Sequence, residues 1–352
     1  MKTKKWLIFY FLFLLFIFIL VGIITIFVDP YFHYHKPYTN LFFYELNADT
    51  ERYVNDGITR LFDYDAVITG TSMTENFHAT EFNELFNCHS IKVPYRGASF
   101  FETCENLKKG YRDHNIKYVL RSLDENFNIG SNEKTGYLNW PEYLYNESVV
   151  DDIKYIVNID VLKEILKIFP NCLKRKTGII SFDDYANWAN DYPYGKEQVL
   201  KGRLSYKAPN KIHDFTKEDV QRIQENVQKN ILDIANSHPE TTFYYFFPPY
   251  SIAHWGTRYE EGLLLKKLKE RAFLIRILVQ YDNIRLFSFS EQKNWILNLD
   301  NYIEETHYNA QINSAMLKLM KEDKFRITKD NVEEYIKSEE DFFMNFDYNS
   351  IF

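Results

Sequence analysis

The sequence has few of the residues that are typical of disulfide-rich, fibrous or disordered chains. Among 352 residues there are 3 cysteines, 12 glycines and 10 prolines. Three cysteines allow at most one disulfide, which excludes a disulfide framework, and Cys88, Cys104 and Cys172 fit no zinc-binding spacing. The low glycine and proline content excludes collagen-like and low-complexity chains.

An excess of basic residues is also absent. The chain has 42 Lys and Arg against 49 Asp and Glu, a net charge of -7, so nucleic acid is not an expected partner. We expect no metal and no cofactor. Aromatic residues are abundant instead, with 27 Tyr and 30 Phe. A chain of this length and apolar content can form one sizeable domain with an insertion, or two domains.

The first thirty residues predict a membrane anchor. Lys2, Lys4 and Lys5 precede an uncharged stretch over residues 6–28, which Asp29 ends. As a helix rising about 1.5 Å per residue, this stretch covers a bilayer core of roughly 30 Å. A cleaved signal peptide is the alternative, but its apolar centre would be shorter and followed by small residues. The lysines place the N-terminus in the cytoplasm and the rest of the chain on the extracytoplasmic side of the cell membrane.

Short runs rich in β-branched and aromatic residues predict buried parallel strands, and amphipathic helices alternate with them. The predicted strands are 65–70, 91–94, 116–120, 242–247 and 284–289. The predicted helices are 217–237, with Thr216 and Asp219 at its start, 259–280, one from Asn309 to 319, one near 161–168 and one near 331–343. This alternation predicts a three-layer α/β/α sandwich with about five parallel strands, similar to flavodoxin, after one transmembrane helix.

Residues 128–215 interrupt this alternation and are rich in Tyr and Trp. The stretch is too long for a structureless loop in a compact domain, so we expect an inserted subdomain or cap. The predicted organisation is a cytoplasmic N-terminus at 1–5, a transmembrane helix at 6–28, a linker at 29–59, a domain at 60–322 with the insertion at 128–215, and a helical tail at 323–352.

A candidate nucleophile follows the first strand. Gly70, Thr71 and Ser72 form a turn beyond the carboxyl end of a parallel strand, where α/β folds place ligands. A serine nucleophile needs a general base and a group that orients the base. Glu304 and His307 follow the last predicted strand and lie three residues apart, so on a helical turn they would share a face. A helix cap at Ser72 and a surface Glu-His pair are the structural alternatives.

Together, these motifs resemble the SGNH (GDSL-like) hydrolase superfamily over about residues 60–322, excluding the insertion. In that family a serine follows the first strand, and Asp-x-x-His lies near the end of the domain. Ser72 matches the nucleophile, His307 the base and Glu304 the position usually held by Asp. The resemblance also implies an oxyanion hole formed by the N–H groups of Ser72 and Gly97. The family's Gly-x-Asn-Asp motif is not present, and Asn126 in the corresponding segment is a further candidate donor.

The sequence is also similar to a membrane-anchored subgroup of that superfamily, akin to the extracytoplasmic D-alanylation protein of teichoic acid synthesis and to polysaccharide O-acetylation proteins. This similarity rests on the anchor and on residues 70–74, 247–251 and 301–308. It implies that Tyr250 and Trp255 line a substrate cleft and that Arg96 holds a phosphate or carboxylate. The alternatives are a diproline that stops a strand and an arginine that forms a structural ion pair.

The resemblance implies a serine esterase or O-acyltransferase that acts on acyl esters of an envelope polysaccharide or a teichoic-acid-like polymer. The alternative is a catalytically inactive envelope protein that keeps the fold and binds glycan or assists a membrane-bound acyltransferase. Glu304 in place of Asp and the missing Gly-x-Asn-Asp motif are the sequence features that favour the alternative.

Overall fold

The structure is a computed structural model that describes residues 2–134, 140–146, 148–174 and 176–352, with side chains from Lys5 onward. The chain forms two compact units. The first contains Met1–Phe62 and Leu138–Ser181, and the second contains Asp63–Tyr137 and Phe182–Phe352. The predicted insertion at 128–215 is therefore divided between the two units, and the predicted linker at 29–59 belongs to the first.

In chain order, the α-helices are α1 Lys2–Val28, α2 Glu51–Leu61, α3 Ala79–Phe86, α4 Phe100–Asp113, α5 Ile153–Ile156, α6 Ile159–Leu173, α7 Lys196–Leu200, α8 Lys217–Val227, α9 Asp233–Ser237, α10 Ile252–Glu260, α11 Leu264–Leu278, α12 Lys293–Ile296, α13 Ala310–Lys321 and α14 Val332–Asn345. The strands are β1 Phe43–Tyr44, β2 Ala66–Gly70, β3 Ser90–Pro94, β4 Tyr118–Ser122, β5 Gly178–Ile179, β6 Thr242–Phe247, β7 Ile284–Ser288 and β8 Arg326–Ile327.

The first unit is built around the C-terminal end of α1. Within α1, residues Lys5–Val28 contain an 18-residue window with a mean hydropathy of 3.3 and are long and apolar enough to cross a membrane. The Asp29 carboxylate accepts hydrogen bonds from the backbone N–H groups of His33, Tyr34 and His35 and from the Tyr155 hydroxyl, at 2.7 to 3.0 Å. These bonds hold Tyr155 and the chain that follows α1 against the C-terminal end of that helix.

Six strands of the described chain form the sheet of the second unit, in the order β3-β2-β4-β6-β7-β8. The first five are parallel and correspond to the five predicted strands, which confirms that prediction. The two-residue strand β8 pairs antiparallel with β7 and was not predicted. Strands β2 and β3 are buried along their whole length, and Lys92 within β3 donates hydrogen bonds to the Glu75 and Phe77 carbonyls.

Four helices of the second unit, α4, α8, α10 and α13, begin after a residue whose side chain accepts a hydrogen bond from a free backbone N–H group. Thr216 and Asp219 form a reciprocal capping box at the start of α8, as predicted. The predicted helix at 217–237 is continuous, because a π-helical segment, Gln228–Leu232, joins α8 to α9. Asn309 caps α13 by accepting a hydrogen bond from the Ile312 N–H.

The predicted tail at 323–352 packs into the second unit. Strand β8 extends the sheet, and α14 contributes Phe343, which is fully buried. The Phe343 ring lies 4.3 Å, between centroids, from the ring of Trp255. The C-terminal residues therefore complete the apolar core of this unit.

Candidate functional site

Ser72 lies at the carboxyl end of β2, at a crossing point of the sheet. Strand β2 stands between β3 and β4, so the chain passes back over β2 when it goes from β3 to β4. In α/β sheets, ligands bind beyond the carboxyl ends of the strands at such points. Ser72 starts a single 3-10 turn, Ser72–Thr74, in which the Thr71 hydroxyl accepts a hydrogen bond from the Met73 N–H. The predicted strand and turn are confirmed.

Gly70 permits the close approach of this turn to β4. Its φ is +137°, a conformation that side-chain-bearing residues rarely adopt. A Cβ at this position would meet the Ser122 hydroxyl, which lies at the end of β4. The same hydroxyl accepts a hydrogen bond from the Thr71 N–H at 3.3 Å. The glycine therefore lets the serine turn pack directly on the neighbouring strand.

The buried carboxylate of Asp124 holds the serine turn through hydrogen bonds. Asp124 Oδ2 accepts hydrogen bonds from the hydroxyls of Thr71 at 2.9 Å and Ser122 at 2.7 Å, and its Oδ1 accepts one from the Tyr250 hydroxyl at 2.8 Å. Burial raises the pKa of Asp124 above its ordinary value, although the three hydroxyl donors act in the opposite direction. Asp124 thus links the residue before Ser72 to the loops that follow β4 and β6.

The histidine lies in a tight loop, and the predicted helical turn is wrong. Tyr302 and Tyr308 form an antiparallel bridge, and the Ile303 N–H donates to the His307 carbonyl at 3.0 Å. The loop therefore reverses the chain between Tyr302 and Tyr308. Glu304 and His307 still meet, because the reversal folds both side chains to the same place.

Ser72, His307 and Glu304 form a continuous hydrogen-bonded chain. The distance from Ser72 Oγ to His307 Nε2 is 2.7 Å, and the distance from His307 Nδ1 to Glu304 Oε1 is 2.6 Å. A proton on Nδ1 would bond to the carboxylate and leave Nε2 as the acceptor for the serine hydroxyl. The structure therefore brings together the three residues that the sequence predicts as nucleophile, base and orienting group.

Glu304 is held in its charged form. Its Oε1 also accepts hydrogen bonds from the backbone N–H of His307 at 2.6 Å and from the N–H and hydroxyl of Thr306 at 3.0 and 2.8 Å. Partial burial alone would raise the pKa of Glu304, but the bonds and charge of His307, together with the bonds from Thr306, hold that pKa at about 2. A carboxylate in this state stabilises a positive charge on the imidazole.

The diproline loop after β6 positions the histidine loop. The hydroxyl and the N–H of Ser251 both donate to the Glu305 carbonyl, at 2.6 and 3.1 Å. The Tyr302 hydroxyl donates to the Pro249 carbonyl at 2.7 Å, and the Thr257 hydroxyl donates to the Glu305 carboxylate at 2.7 Å. These contacts fix the backbone on both sides of Glu304.

Trp188 packs against the imidazole. The ring centroids of Trp188 and His307 lie 5.3 Å apart, and the planes are nearly perpendicular at 83°. The backbone N–H of Trp188 donates to Asn76 Oδ1 at 3.0 Å, which ties the tryptophan to the segment after the serine turn. The tryptophan is buried and shields one side of the imidazole from solvent. It belongs to the aromatic stretch that the sequence predicts as a cap.

The two further oxyanion candidates, Gly97 and Asn126, lie in two loops that a hydrogen bond joins. Gly97 has a φ of +64° in the loop after β3, and the Tyr95 N–H in that loop donates to the Gly70 carbonyl at 2.9 Å. This bond joins the loop to the base of the serine turn. The Asn126 side-chain amide donates to the Ala98 carbonyl. Asn126 therefore supports the backbone next to Gly97.

The predicted cleft residues have structural partners. Arg96 forms a two-pronged ion pair with the buried Glu75 carboxylate, at 3.1 and 3.2 Å. Tyr250 is buried and bonds to Asp124. Trp255 is 2 % exposed and packs in the core against Phe343, so it does not line a cleft. The interpretations of Arg96 as an ion-pair partner and of the diproline as a turn are the ones that agree with these contacts.

Sequence reasoning missed the supporting roles of Tyr250 and Ser251. A signal for them was present, because each follows the carboxyl end of a predicted parallel strand, and these ends meet at one edge of a sheet. Trp188 had no comparable signal, since its distance along the chain from His307 gives no indication of contact.

Other groups that could support chemistry take structural positions. Across the described ranges, no group of three or more His, Cys, Asp or Glu side chains is arranged to hold a metal ion. The three cysteines are free thiols. Burial raises the pKa of the Cys88 thiol to about 12, which leaves it a poor nucleophile.

No family model matches this chain, and no curated protein matches it at a significant level.

Proposed function

We propose that this protein is a membrane-anchored serine esterase or O-acyltransferase. The observation that supports the proposal best is the unbroken path from Ser72 Oγ through His307 to Glu304, with heavy-atom distances of 2.7 and 2.6 Å. A serine hydroxyl bonded to an imidazole whose other nitrogen bonds to a carboxylate is the arrangement that acyl transfer through a serine ester requires.

In the proposed cycle, His307 Nε2 takes the hydroxyl proton while Ser72 Oγ attacks the acyl carbonyl. Glu304 stabilises the resulting imidazolium, and the N–H groups of Ser72 and Gly97 hold the oxyanion. The tetrahedral intermediate collapses, His307 gives its proton to the departing alcohol, and the acyl group remains on Ser72. Water then attacks the ester in a hydrolase cycle, or a sugar or polyol hydroxyl attacks it in a transferase cycle, with His307 as base.

The sheet order supports a resemblance to the SGNH superfamily. Numbered among themselves, the five parallel strands run 2-1-3-4-5, the order of flavodoxin-like folds. We propose that helices cover both faces of this sheet in three layers. We also propose that α1 spans the cell membrane with its N-terminus in the cytoplasm, because its lysines precede the span. An acyl ester of an envelope polysaccharide or teichoic-acid-like polymer is then the accessible substrate class.

Hydrolysis of a chromogenic acyl ester by the full-length chain in detergent tests the proposal. Ser72→Ala and His307→Ala should each lower kcat/KM by about a thousandfold or more. Ser237→Ala removes an exposed hydroxyl that bonds only within its own helix, and should leave the rate unchanged. Appearance of the acyl group on an added polysaccharide would identify a transferase, and release of free acid alone would identify an esterase.

The inactive envelope protein is the second outcome of the same assay. If the wild-type chain hydrolyses the ester no faster than Ser72→Ala, the catalytic proposal is wrong. The fold would then serve for binding glycan or for assisting a membrane-bound acyltransferase.

A further inference from the structure

The part of α1 that is exposed on all sides is shorter than the hydrocarbon core of a bilayer. Side chains are exposed without interruption only from Trp6 to Leu20, which is about 22 Å of helix. A hydrocarbon core is roughly 30 Å thick. Beyond Leu20, one face of α1 stays exposed at Ile23, Ile26 and Phe27, while Thr25 and Val28 are buried in the first unit. On the side of α1 that is buried in the first unit, the residues that pack against the helix must therefore contact the hydrocarbon core.

The segment that packs there includes α5. Ile156 Cγ2 lies 3.6 Å from the position that a Cβ on Gly22 would occupy. Gly22 precedes the end of α1 by six residues, or about 9 Å along the helix. Tyr155, next to Ile156, bonds to Asp29 at the helix end. The segment around Ile156 is thus held at a level of α1 that lies inside the apolar span.

Helix α6, which also contacts α1, has two apolar faces. One face is buried within the first unit and contains Val161, Ile165 and Ile168. The other is exposed and follows the spacing of three and four residues that a continuous stripe on a helix requires. The exposed stripe on α6 consists of Ile159, Leu166, Phe169 and Leu173, which are 62 %, 68 %, 46 % and 86 % exposed, with Leu162 half-buried between them.

The turns before α6 continue this surface. Val149, Val150, Ile153 and Val157 are exposed by 50 % to 83 %. Exposed apolar patches of this extent mark interaction sites. Most of this segment is helical, with Val149–Asp152 in a 3-10 turn and Ile153–Ile156 in α5, and helical backbone is compatible with a lipid environment because it satisfies its own hydrogen bonds.

We propose that the exposed apolar surface of residues 149–173 lies within the bilayer, in the leaflet that contains the C-terminal end of α1. The inference rests on the anchoring part of the proposed function and is independent of its chemistry. Lipid is the occupant because α5 and α6 pack against α1, and the contact of Ile156 with Gly22 lies within the apolar span of that helix. The first unit is then partly embedded in the membrane around the C-terminal end of α1.

The binding is apolar in character. Two of the lysines beside the stripe are paired with acids one turn away, Lys163 with Asp160 at 3.0 Å and Lys167 with Glu164 at 2.8 Å. Lys154 is paired with Asp151 in the same way, at 2.9 Å. Paired charges contribute little attraction to anionic headgroups, so insertion should depend little on salt.

Depth-dependent fluorescence quenching on the full-length chain tests the proposal. The three native cysteines are replaced by alanine, and single cysteines carry an environment-sensitive dye in phosphatidylcholine vesicles that contain no other protein. The stripe positions are Leu166→Cys, Phe169→Cys and Leu173→Cys, and the matched controls on the same helix are Lys163→Cys and Lys167→Cys. Lipids with a nitroxide near the top of the acyl chain should quench the stripe positions several-fold more than the controls, at low and at high salt.

A dye at Phe13→Cys, in the middle of α1, separates two kinds of failure. If Phe13 is quenched by deep nitroxides while stripe and control positions are quenched equally, this inference is overturned and the anchor stands. If Phe13 is not quenched, both the anchor and this inference fail. Protection of the stripe that appears only after another membrane protein is added would also overturn the inference, because the occupant would then be protein.

Discussion

The two loops that build the candidate site are held in different ways. The serine turn follows directly from a central strand, and Gly70, Ser122 and Asp124 fix it within the sheet. The histidine loop does not follow directly from a strand, because α12 lies between β7 and this loop. Its position depends on hydrogen bonds from the diproline loop, chiefly those of Ser251 to the Glu305 carbonyl. The serine turn is therefore part of the folded core, whereas the histidine loop is a separately positioned element.

This difference predicts different consequences of mutation. Changes at the serine turn should lower the stability of the whole unit, because they disturb strand packing. Changes at the histidine loop should lower catalysis while the unit stays folded, because they alter the orientation of one side chain. The four predictions that follow test this contrast.

The largest expected effect on catalysis, outside the nucleophile and base themselves, is that of Glu304→Gln. The amide keeps the size of the side chain but cannot stabilise the imidazolium, so kcat should fall by about a hundredfold to ten thousandfold. The unit should stay folded at neutral pH with only a modest fall in the thermal midpoint, since Glu304 is about one-third exposed. Ester hydrolysis and thermal unfolding of the same preparation measure both quantities. A normal rate in Glu304→Gln would remove Glu304 from the mechanism.

At the serine turn, Gly70→Ala should destabilise the unit by about 1 to 3 kcal/mol through its positive φ alone. Contact of the new Cβ with the Ser122 hydroxyl would add to that cost. Chemical denaturation of the full-length chain in detergent measures the change in the free energy of unfolding. Gly195→Ala is a useful control, because Gly195 has the same φ of +137° but no close neighbour within 3.4 Å of a Cβ. Equal destabilisation by the two variants would show that close packing at Gly70 is unimportant.

A smaller effect is expected at the diproline loop. Ser251→Ala removes the 2.6 Å hydrogen bond to the Glu305 carbonyl. Such a bond contributes about 1 kcal/mol, which corresponds to about a fivefold fall in kcat if the bond holds His307 in its reactive orientation. The loss should appear in kcat and not in KM, because Ser251 acts through the backbone of the histidine loop. Ser251→Thr keeps a hydroxyl and should restore part of the rate. A change confined to stability, with normal kcat, would contradict the positioning role.

The smallest expected effect is a pair of opposite pH dependences. The pKa of Glu304 lies at about 2, below its ordinary value of 4.5, so its ionised form stabilises the fold above pH 4.5 and that contribution is lost as the pH falls through 2. The pKa of Asp124 is raised above 3.8, so its contribution is present below 3.8 and is lost as the pH rises. Between about pH 2 and about pH 7, Glu304→Gln should lose stability relative to wild type as the pH rises towards 4.5, whereas Asp124→Asn should gain as the pH rises above 3.8. Thermal midpoints across this range measure both slopes, and slopes of the same sign would contradict the assignment.

The sequence predicted the five parallel strands because each is a short apolar run that ends in turn-forming residues. It also predicted the meeting of Ser72, Glu304 and His307, since residues that follow parallel strands gather at one edge of a sheet. The loop around His307 was not predicted, because spacing of three residues is compatible with both a helical turn and a tight reversal. The position of Trp255 depends on its contact with Phe343 on α14. Such a contact between distant segments leaves no local pattern in the sequence.

The same limit applies to the first unit. Residues 138–181 gave a predicted helix near 161–168, but their assignment to the unit that contains α1 follows from contacts such as that of Ile156 with Gly22. The aromatic surplus of the chain is correspondingly divided. Part of it is exposed along α1, part fills the core of the second unit, and Trp188 covers the imidazole.

The most direct test of the central claim is reaction of the full-length chain with a fluorophosphonate, followed by peptide mapping of the adduct. A serine activated by His307 should form one covalent adduct at Ser72, and both Ser72→Ala and His307→Ala should abolish it, while Ser237→Ala should label like wild type. Failure of the wild-type chain to react, or equal labelling after Ser72→Ala, would contradict the account.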